Sequence, residues 1–509
     1  SNRGGSGTIS GNILNVKASA SAQNIHNFDT INFYFTNTLS PKLTLSDTAG
    51  TTIKSLKGIS VNGLPKNMSG TLIENRSGTI TVTDGTSSVT KTGDTAETIL
   101  STDTTRKKID YTRYIFKGAR TAESSSFHET WGGRSVIGNT TTGNEITVTS
   151  GTHTDVYGGW TSGASSQTAT ADKGNSTDNK VTVDGTATVN ANVYGGMTTV
   201  AGGKASNNVV TINEGVTLNG RYVYGGSAAN GSSADNNKVY LNGIHTPGNV
   251  YGGSTLFGTA NGNEVHLNGA TVTGDVSGGA ANGTGNLLSV KGVNRAGWIA
   301  GFQRVTFDAT GVAAGETMLN VNGSAGTTLD RGAIDATGST VNGGITLLHN
   351  ANGITVNGLA ADDNILKSEA DAATEKNIAA HRTGGNITDI RYEGYRFAGV
   401  TTPVIDGGEA FGGISKAGNA THDNVITVNG DYTNVYGGHT SGTGTTAVEK
   451  KNSHDNTVTI TGGTLGTVYG GYTAGNGDST NNHVTITGTG KVGGVYAGRA
   501  QSARATRSR

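Results

Sequence analysis

The stretch Asn179-Lys180-Val181-Thr182-Val183, followed ten residues later by Val193-Tyr194-Gly195-Gly196, decides the fold. Val-Thr-Val alternates with period two, so one face of a short strand is apolar and the other polar. Asn and Gly bracket each phrase, which is turn chemistry. Both phrases return along the chain. The first recurs at Asn144 (Ile146, Val148), Asn208 (Val210, Ile212), Asn237 (Val239, Leu241), Asn263 (Val265, Leu267) and Asn286 (Leu288, Val290), and later at Asn424, Asn456 and Asn482. The second recurs around Tyr157, Tyr224, Tyr251, Tyr436 and Tyr469, with weaker copies at Trp131, Ser277, Phe411 and Tyr496.

Copies are mostly 23 to 37 residues apart, a period that belongs to solenoids and propellers. No helical period intervenes. A propeller needs four strands per blade, and each period shows two or three. The reading is all-β: a right-handed parallel β-helix, or β-solenoid, with loop excursions. The residues from Ser162 to Asp178 are expected to leave the stack as such a loop. A larger repeat is superimposed, at an offset of about 275 to 281 residues. Leu43-Thr44-Leu45 answers to Leu319-Asn320-Val321, Tyr111 through Phe116 to Tyr392 through Phe397, and Trp131 to Phe411. The boundaries follow: 1–130, an irregular β-helix segment; 131–290, a Tyr-Gly-Gly array; 291–400, a repeat of the first segment; 401–498, a second array; and 499–509, a basic tail or the start of another rung. Residues 1 to about 40 suit an amino-terminal cap, with Ile31, Phe33 and Phe35 alternating on one strand.

The recurrent Asn has two readings: an amide ladder inside the turn, or a residue that tolerates the left-handed region a sharp turn needs. The glycines admit backbone angles or close approaches that a Cβ would block. The tyrosines read as a structural aromatic ladder or as a sugar-binding stripe. Thr182, Thr211, Tyr240, His266, Thr427, Thr459 and Thr485 fall on outward positions and are the candidate contact rows for self-association.

The chain has no Cys, which removes disulfides, thiolate metal sites and a Cys nucleophile. Lys plus Arg equals Asp plus Glu at 37 each, so no global basic field draws in nucleic acid. Gly477-Asp478-Ser479-Thr480 lacks the second glycine of a Gly-Asp-Ser-Gly nucleophile phrase and reads as a turn. The densest acidic stretch, Asp362, Asp363, Glu369, Asp371 and Glu375, carries Leu366, Ala370, Ala373 and Ile378 at helix-like spacing and reads as a solvated loop or short surface helix. Around Asp94 to Asp110 the acids are spaced differently, so the two repeats share no evident acid constellation. The histidines are scattered, His128, His153 and His422 among them; His439, His454 and His483 lie near equivalent rung edges and read as exposed loop residues or, if stacking brings them together, as a cluster. No catalytic, cofactor or metal residue is assigned.

Two features resemble the passenger domain of a bacterial autotransporter and together cover most of the chain. One is the alternation of Asn-x-Val-x-Val with Val-Tyr-Gly-Gly. The other is the phrase Ile25-His26-Asn27-Phe28-Asp29-Thr30-Ile31-Asn32-Phe33, echoed at Ile299-Ala300-Gly301-Phe302-Gln303-Arg304-Val305-Thr306-Phe307. The resemblance implies an extracellular location at the bacterial surface and a role in adhesion, autoaggregation or biofilm formation. It implies anchorage through a carboxy-terminal barrel that this sequence does not include. The implied partners are a second copy on another cell, or glycans and proteins of a host or bacterial surface. The alternatives are a structural spacer or filament subunit and, behind it, a polysaccharide-degrading β-helix enzyme.

Overall fold

A computed structural model describes residues 9–36, 39–64, 68–125, 127–164, 168–170, 173–230, 233–279, 283–338, 344–361, 363–442, 451–474 and 477–501. The fold is all-β, with 58% strand and 1% helix, arranged as a β-solenoid of about 17 stacked turns. It divides into two compact units. The first is Ser1–Val239 with Tyr251–Asn263, and the second is Tyr240–Val250 with Glu264–Arg509.

In the first unit the Tyr-Gly-Gly strands Thr130–Ser135, Val156–Thr161, Asn192–Thr198 and Tyr222–Ala228 pair in parallel. The register sets Val193 on Val156 and Val223, and Tyr194 on Tyr157 and Tyr224. A second sheet stacks the Asn-led strands Glu145–Val148, Lys180–Val183 and Val209–Ile212. Two strands of two residues complete each coil. One sheet of these holds Thr141–Thr142, Ser176–Thr177 and Ala205–Ser206, and the other holds Thr152–His153, Thr188–Val189 and Thr217–Leu218. A coil therefore has four strands where the sequence pattern shows two or three, because two residues are too few to display a period. Ser176–Thr177 also ends the expected 162–178 loop early.

The second unit repeats the plan. Its Tyr-Gly-Gly strands are Glu409–Ser415, Tyr432–Thr440, Thr464–Thr473 and Lys491–Ala500. Its Asn-led strands are Val425–Asn429, Thr457–Gly462 and His483–Ile486. Arg499 and Ala500 thus belong to a paired strand and not to a tail; residues 502–509 lie outside the described residues.

The inward residues Val181, Val183, Val193, Val210, Ile212 and Val223 are at most 2% exposed. Each such side chain contributes on the order of 1.5–3 kcal/mol, and equal neighbours above and below let the gain repeat coil by coil. Ile31, Phe33 and Phe35 are buried in the same way. The strand that carries Ile31 and Phe33, Thr30–Tyr34, is paired on both edges, with Ile13–Val16 and Ile59–Asn62.

Two antiparallel inserts interrupt the parallel stacking. Ser88–Thr92, Ala96–Thr102 and Lys108–Ile115 form the first, joined to Met68–Asn75. Ile365–Ala370, Thr374–Thr383 and Asn386–Arg396 form the second, joined to Ile345–Asn350. The second insert occupies the stretch expected to be a loop or short helix. Asp371 accepts from the amides of Ala373 (2.8 Å) and Thr374 (2.6 Å), which turns the chain. Leu366 and Ile378 therefore lie on two strands, and their helical spacing is coincidental.

Candidate functional site

Each coil is held at one corner by the recurrent Asn. Asn144, Asn179, Asn208, Asn237 and Asn263 are fully buried. The Nδ2 of each donates to the Oδ1 of the next at 2.7, 3.0, 3.1 and 3.1 Å. The backbone N–H of Asn179 and Asn208 donates to the same oxygens. In the second unit Asn424, Asn456 and Asn482 repeat the ladder at 2.7 and 2.8 Å. Further back in that unit Gln303 takes the place of the Asn and accepts from the Asn286 amide at 2.9 Å. The ladder reading of the Asn therefore holds, and the left-handed position falls one residue earlier. The ladder Asn is preceded by a left-handed residue: Asp178 (φ 56°), Asn207 (59°), Asn236 (56°), Asp423 (55°), Asp455 (55°) and Asn481 (54°). Beside the amides runs a row of buried hydroxyls. Thr141 bonds Thr161 and Ser176 at 2.9 Å each, and Thr421 bonds Thr440 and Ser453 at the same distance.

The glycine pair fits this ladder. A Cβ on the second glycine would meet the Asn carboxamide, at 2.5 Å for Gly159 and Gly196 and 2.4 Å for Gly471. A Cβ on the first would meet the carbonyl oxygen of the neighbouring coil, at 2.4 Å for Gly158 and Gly195.

The tyrosines stack. Tyr157, Tyr194, Tyr224 and Tyr251 have ring centroids 4.9, 5.0 and 5.2 Å apart and their planes are nearly parallel. Phe411, Tyr436, Tyr469 and Tyr496 stack at 5.1, 5.1 and 5.4 Å. Tyr157, Tyr194, Phe411, Tyr436 and Tyr469 are buried, so these rings are structural, whereas Tyr496 at the end of the second ladder is exposed. Burial, with the nearby Asp155 charge, pushes the Tyr194 phenol up to about 12. Arg134 lies over Trp131 (4.5 Å) and Trp160 (4.2 Å), capping the first ladder with cation–π contacts.

Two buried carboxylates anchor the inserts. Glu97 accepts from Ser135 Oγ, the Val136 amide and Asn139 Nδ2, each at 2.8 Å. Glu375 accepts from Ser415 Oγ (2.7 Å), the Lys416 amide (2.7 Å) and Asn419 Nδ2 (2.6 Å). Both are at most 1% exposed, and these charge-assisted bonds offset their loss of hydration. The two repeats therefore share one acid, which the sequence reading did not single out. Its signature is a Glu 38 to 40 residues ahead of the Ser in Gly-Gly-x-Ser-x-x-Gly-Asn, at 132–139 and 412–419. The other acids of the stretch disperse: Asp363 pairs with Arg331, Glu369 pairs with Lys367, and Asp362 lies outside the described residues.

A cavity of about 660 Å³ opens beside the second insert. Its wall centres on Glu393, whose carboxylate accepts from Tyr395 Oη at 2.7 Å and meets His381 Nε2 at 2.8 Å, with Arg391 Nε at 3.9 Å. Burial works to raise this carboxyl. The bonds from His381 and Tyr395 and the charges of His381 and Arg391 outweigh it and hold the group below the usual Glu range. Burial and the Glu393 charge raise the Tyr395 phenol. None of these residues was singled out from the sequence, since no local motif joins His381 to Glu393; the pairing arises from the hairpin.

The expected contact rows point outward. Thr182 and Thr211 are in register, as are Thr427, Thr459 and Thr485. Tyr240 stacks on His266 at 4.3 Å. Of the two readings of the histidines the cluster does not form, because His439, His454 and His483 lie on three different sheets. His454 stacks on His422 at 5.3 Å, and His439 on Tyr472 at 5.0 Å. Among the described residues no group of three His, Cys, Asp or Glu is placed to hold a metal ion. Ser479 lies on a two-residue strand and not in a turn, and its hydroxyl donates to the Gly471 carbonyl at 3.0 Å. The architecture defines a parallel β-solenoid repeat protein. Comparison with family profiles, characterised proteins and solved structures returned no match.

Proposed function

We propose that this chain is an adhesive surface protein of the autotransporter-passenger kind, displayed outside a bacterial cell and acting in cell adhesion, autoaggregation or biofilm formation. In this reading the solenoid presents a surface and catalyses nothing. The observation that carries the reading is the registry of the outward polar rows, above all Thr427, Thr459 and Thr485. Such a row offers the same weak hydrogen-bonding group at every coil, and weak contacts between two like rows multiply into avidity. The absence of Cys from the sequence fits export through an oxidising compartment.

The test is aggregation of cells displaying this chain against cells displaying an unrelated β-solenoid of similar length. Clumping of the former alone, abolished by changing Thr427, Thr459 and Thr485 to Glu, is the expected result. Clumping that survives the triple substitution removes the row from the mechanism. Absence of both clumping and adherence to other surfaces overturns the reading.

A further inference from the structure

The cavity beside the second insert is built on a scaffold that the first insert shares. Glu97 faces Tyr114 across antiparallel strands, and Glu375 faces Tyr395 in the same register. The third strand of each insert also carries an equivalent buried tyrosine, Tyr111 and Tyr392. The lining differs. Where the second repeat has Arg391, Glu393 and Lys416, the first has Asp110, Thr112 and Val136. The fold does not need these charged groups, since the first repeat makes the same buried anchor without them.

Their chemistry is specific. Glu393 is fixed in place by Tyr395 and His381, so its geometry precedes any ligand. Lys416 and Asp406 also line the cavity, and among the described residues neither is in an ion pair. Arg382 stands at the rim, bonded to Asn364 Oδ1 at 3.3 Å. Donors and acceptors therefore both line the wall: the cationic Arg382, Arg391 and Lys416 face the anionic Glu393 and Asp406, while Asp363 is already paired with Arg331. A polyanion would meet the carboxylates, and a polycation the guanidinium groups. A hydroxyl donates and accepts at once and suits both. Ile365, Ala379 and Ala380 add an apolar strip for the C–H face of a ring. The volume lies within the range of ligand pockets, roughly 300–1,000 Å³.

We infer that this cavity is a binding site for a neutral, hydroxyl-rich sugar, with Glu393, Asp406 and Lys416 as the hydroxyl-binding groups. The site goes beyond the adhesive reading and stands whether or not the outer rows self-associate.

The experiment uses the full chain on an array of defined neutral and acidic oligosaccharides, followed by calorimetry with the neutral sugar that binds. Asp406→Ala and Glu393→Gln are each expected to weaken binding about tenfold or more, as loss of a charged hydrogen bond does. Thr112→Ala, at the matching place in the first insert, leaves binding unchanged. Asp406 and Lys416 are not part of the core, so Asp406→Ala and Lys416→Ala keep the test valid if Glu393→Gln disturbs folding. Three results overturn the inference: no neutral sugar binds, only acidic sugars bind, or affinity is unchanged in all three cavity variants.

Discussion

A Cβ placed on Gly196 would stand 2.5 Å from the Cγ, Nδ2 and Oδ1 of Asn208. The carboxamide has no room to retreat, since it holds Asn179 on one side and Asn237 on the other. Gly196→Ala is therefore expected to cost about 1–3 kcal/mol, the usual range for overpacking, read as a lower denaturation midpoint. Asn208→Ala removes the carboxamide instead and takes away the Oδ1 that accepts from the buried Asn179 backbone N–H, at a cost of about 1–3 kcal/mol. His439 responds to pH. Burial, and then the Lys416 charge, lower it to about 4. Above the unfolded value near 6.5 both states are neutral and the residue has no effect. As pH falls from 6.5 towards 4 the unfolded chain takes up a proton that the folded chain refuses, so stability falls. His439→Phe is expected to flatten that part of the stability–pH curve. Tyr194 works at the other extreme: its raised value preserves stability below pH 10 and loses it as pH climbs towards 12. Absorbance titration should show Tyr157, Tyr194, Tyr224 and Tyr436 ionising later than exposed tyrosines.

At the scale of elements, the coils were legible in the sequence and the inserts were not. Val181, Thr182 and Val183 declare a half-buried strand by their own alternation, and Tyr194-Gly195-Gly196 declares a close approach. Both signals are local, and stacking only multiplies them. The two-residue strands such as Thr152–His153 have no period to read. Glu375 was read as solvated because nothing near it says otherwise. Its partners Ser415 and Asn419 lie 40 and 44 residues away, and only the fold brings them to it. For the same reason the Glu393 cavity was invisible. Glu97→Gln and Glu375→Gln test the anchors. Each puts an amide donor among groups that already donate, and a loss of about 1.5–3 kcal/mol is expected for each, the worth of a hydrogen bond to a charged group. Equal losses at the two sites would show that the repeats kept the anchor as one device.

For the molecule as a whole, most coil-to-coil contacts are between neighbours, so damage should stay local. Hydrogen exchange on the Asn208→Ala protein should show lost protection in the strands Lys180–Val183, Val209–Ile212 and Lys238–Asn242, and native protection in Thr457–Gly462. Uniform loss across the chain would mean that the coils open as one cooperative block.

The amide ladder also has a bearing on how such a chain changes length. Every Asn presents the same oxygen to the preceding coil and the same N–H groups to the following one, so each coil ends in an interchangeable joint. Asn179 and Asn208 are 29 residues apart. Removing residues 180–208 would leave Asn179 followed directly by Val209, facing Asn237 with the amide that Asn208 used. Insertions and deletions that respect this spacing keep the joint, and those that split it strand a buried carboxamide. The protein's reach is therefore free to grow or shrink under selection in steps of one coil, with no new interface to invent.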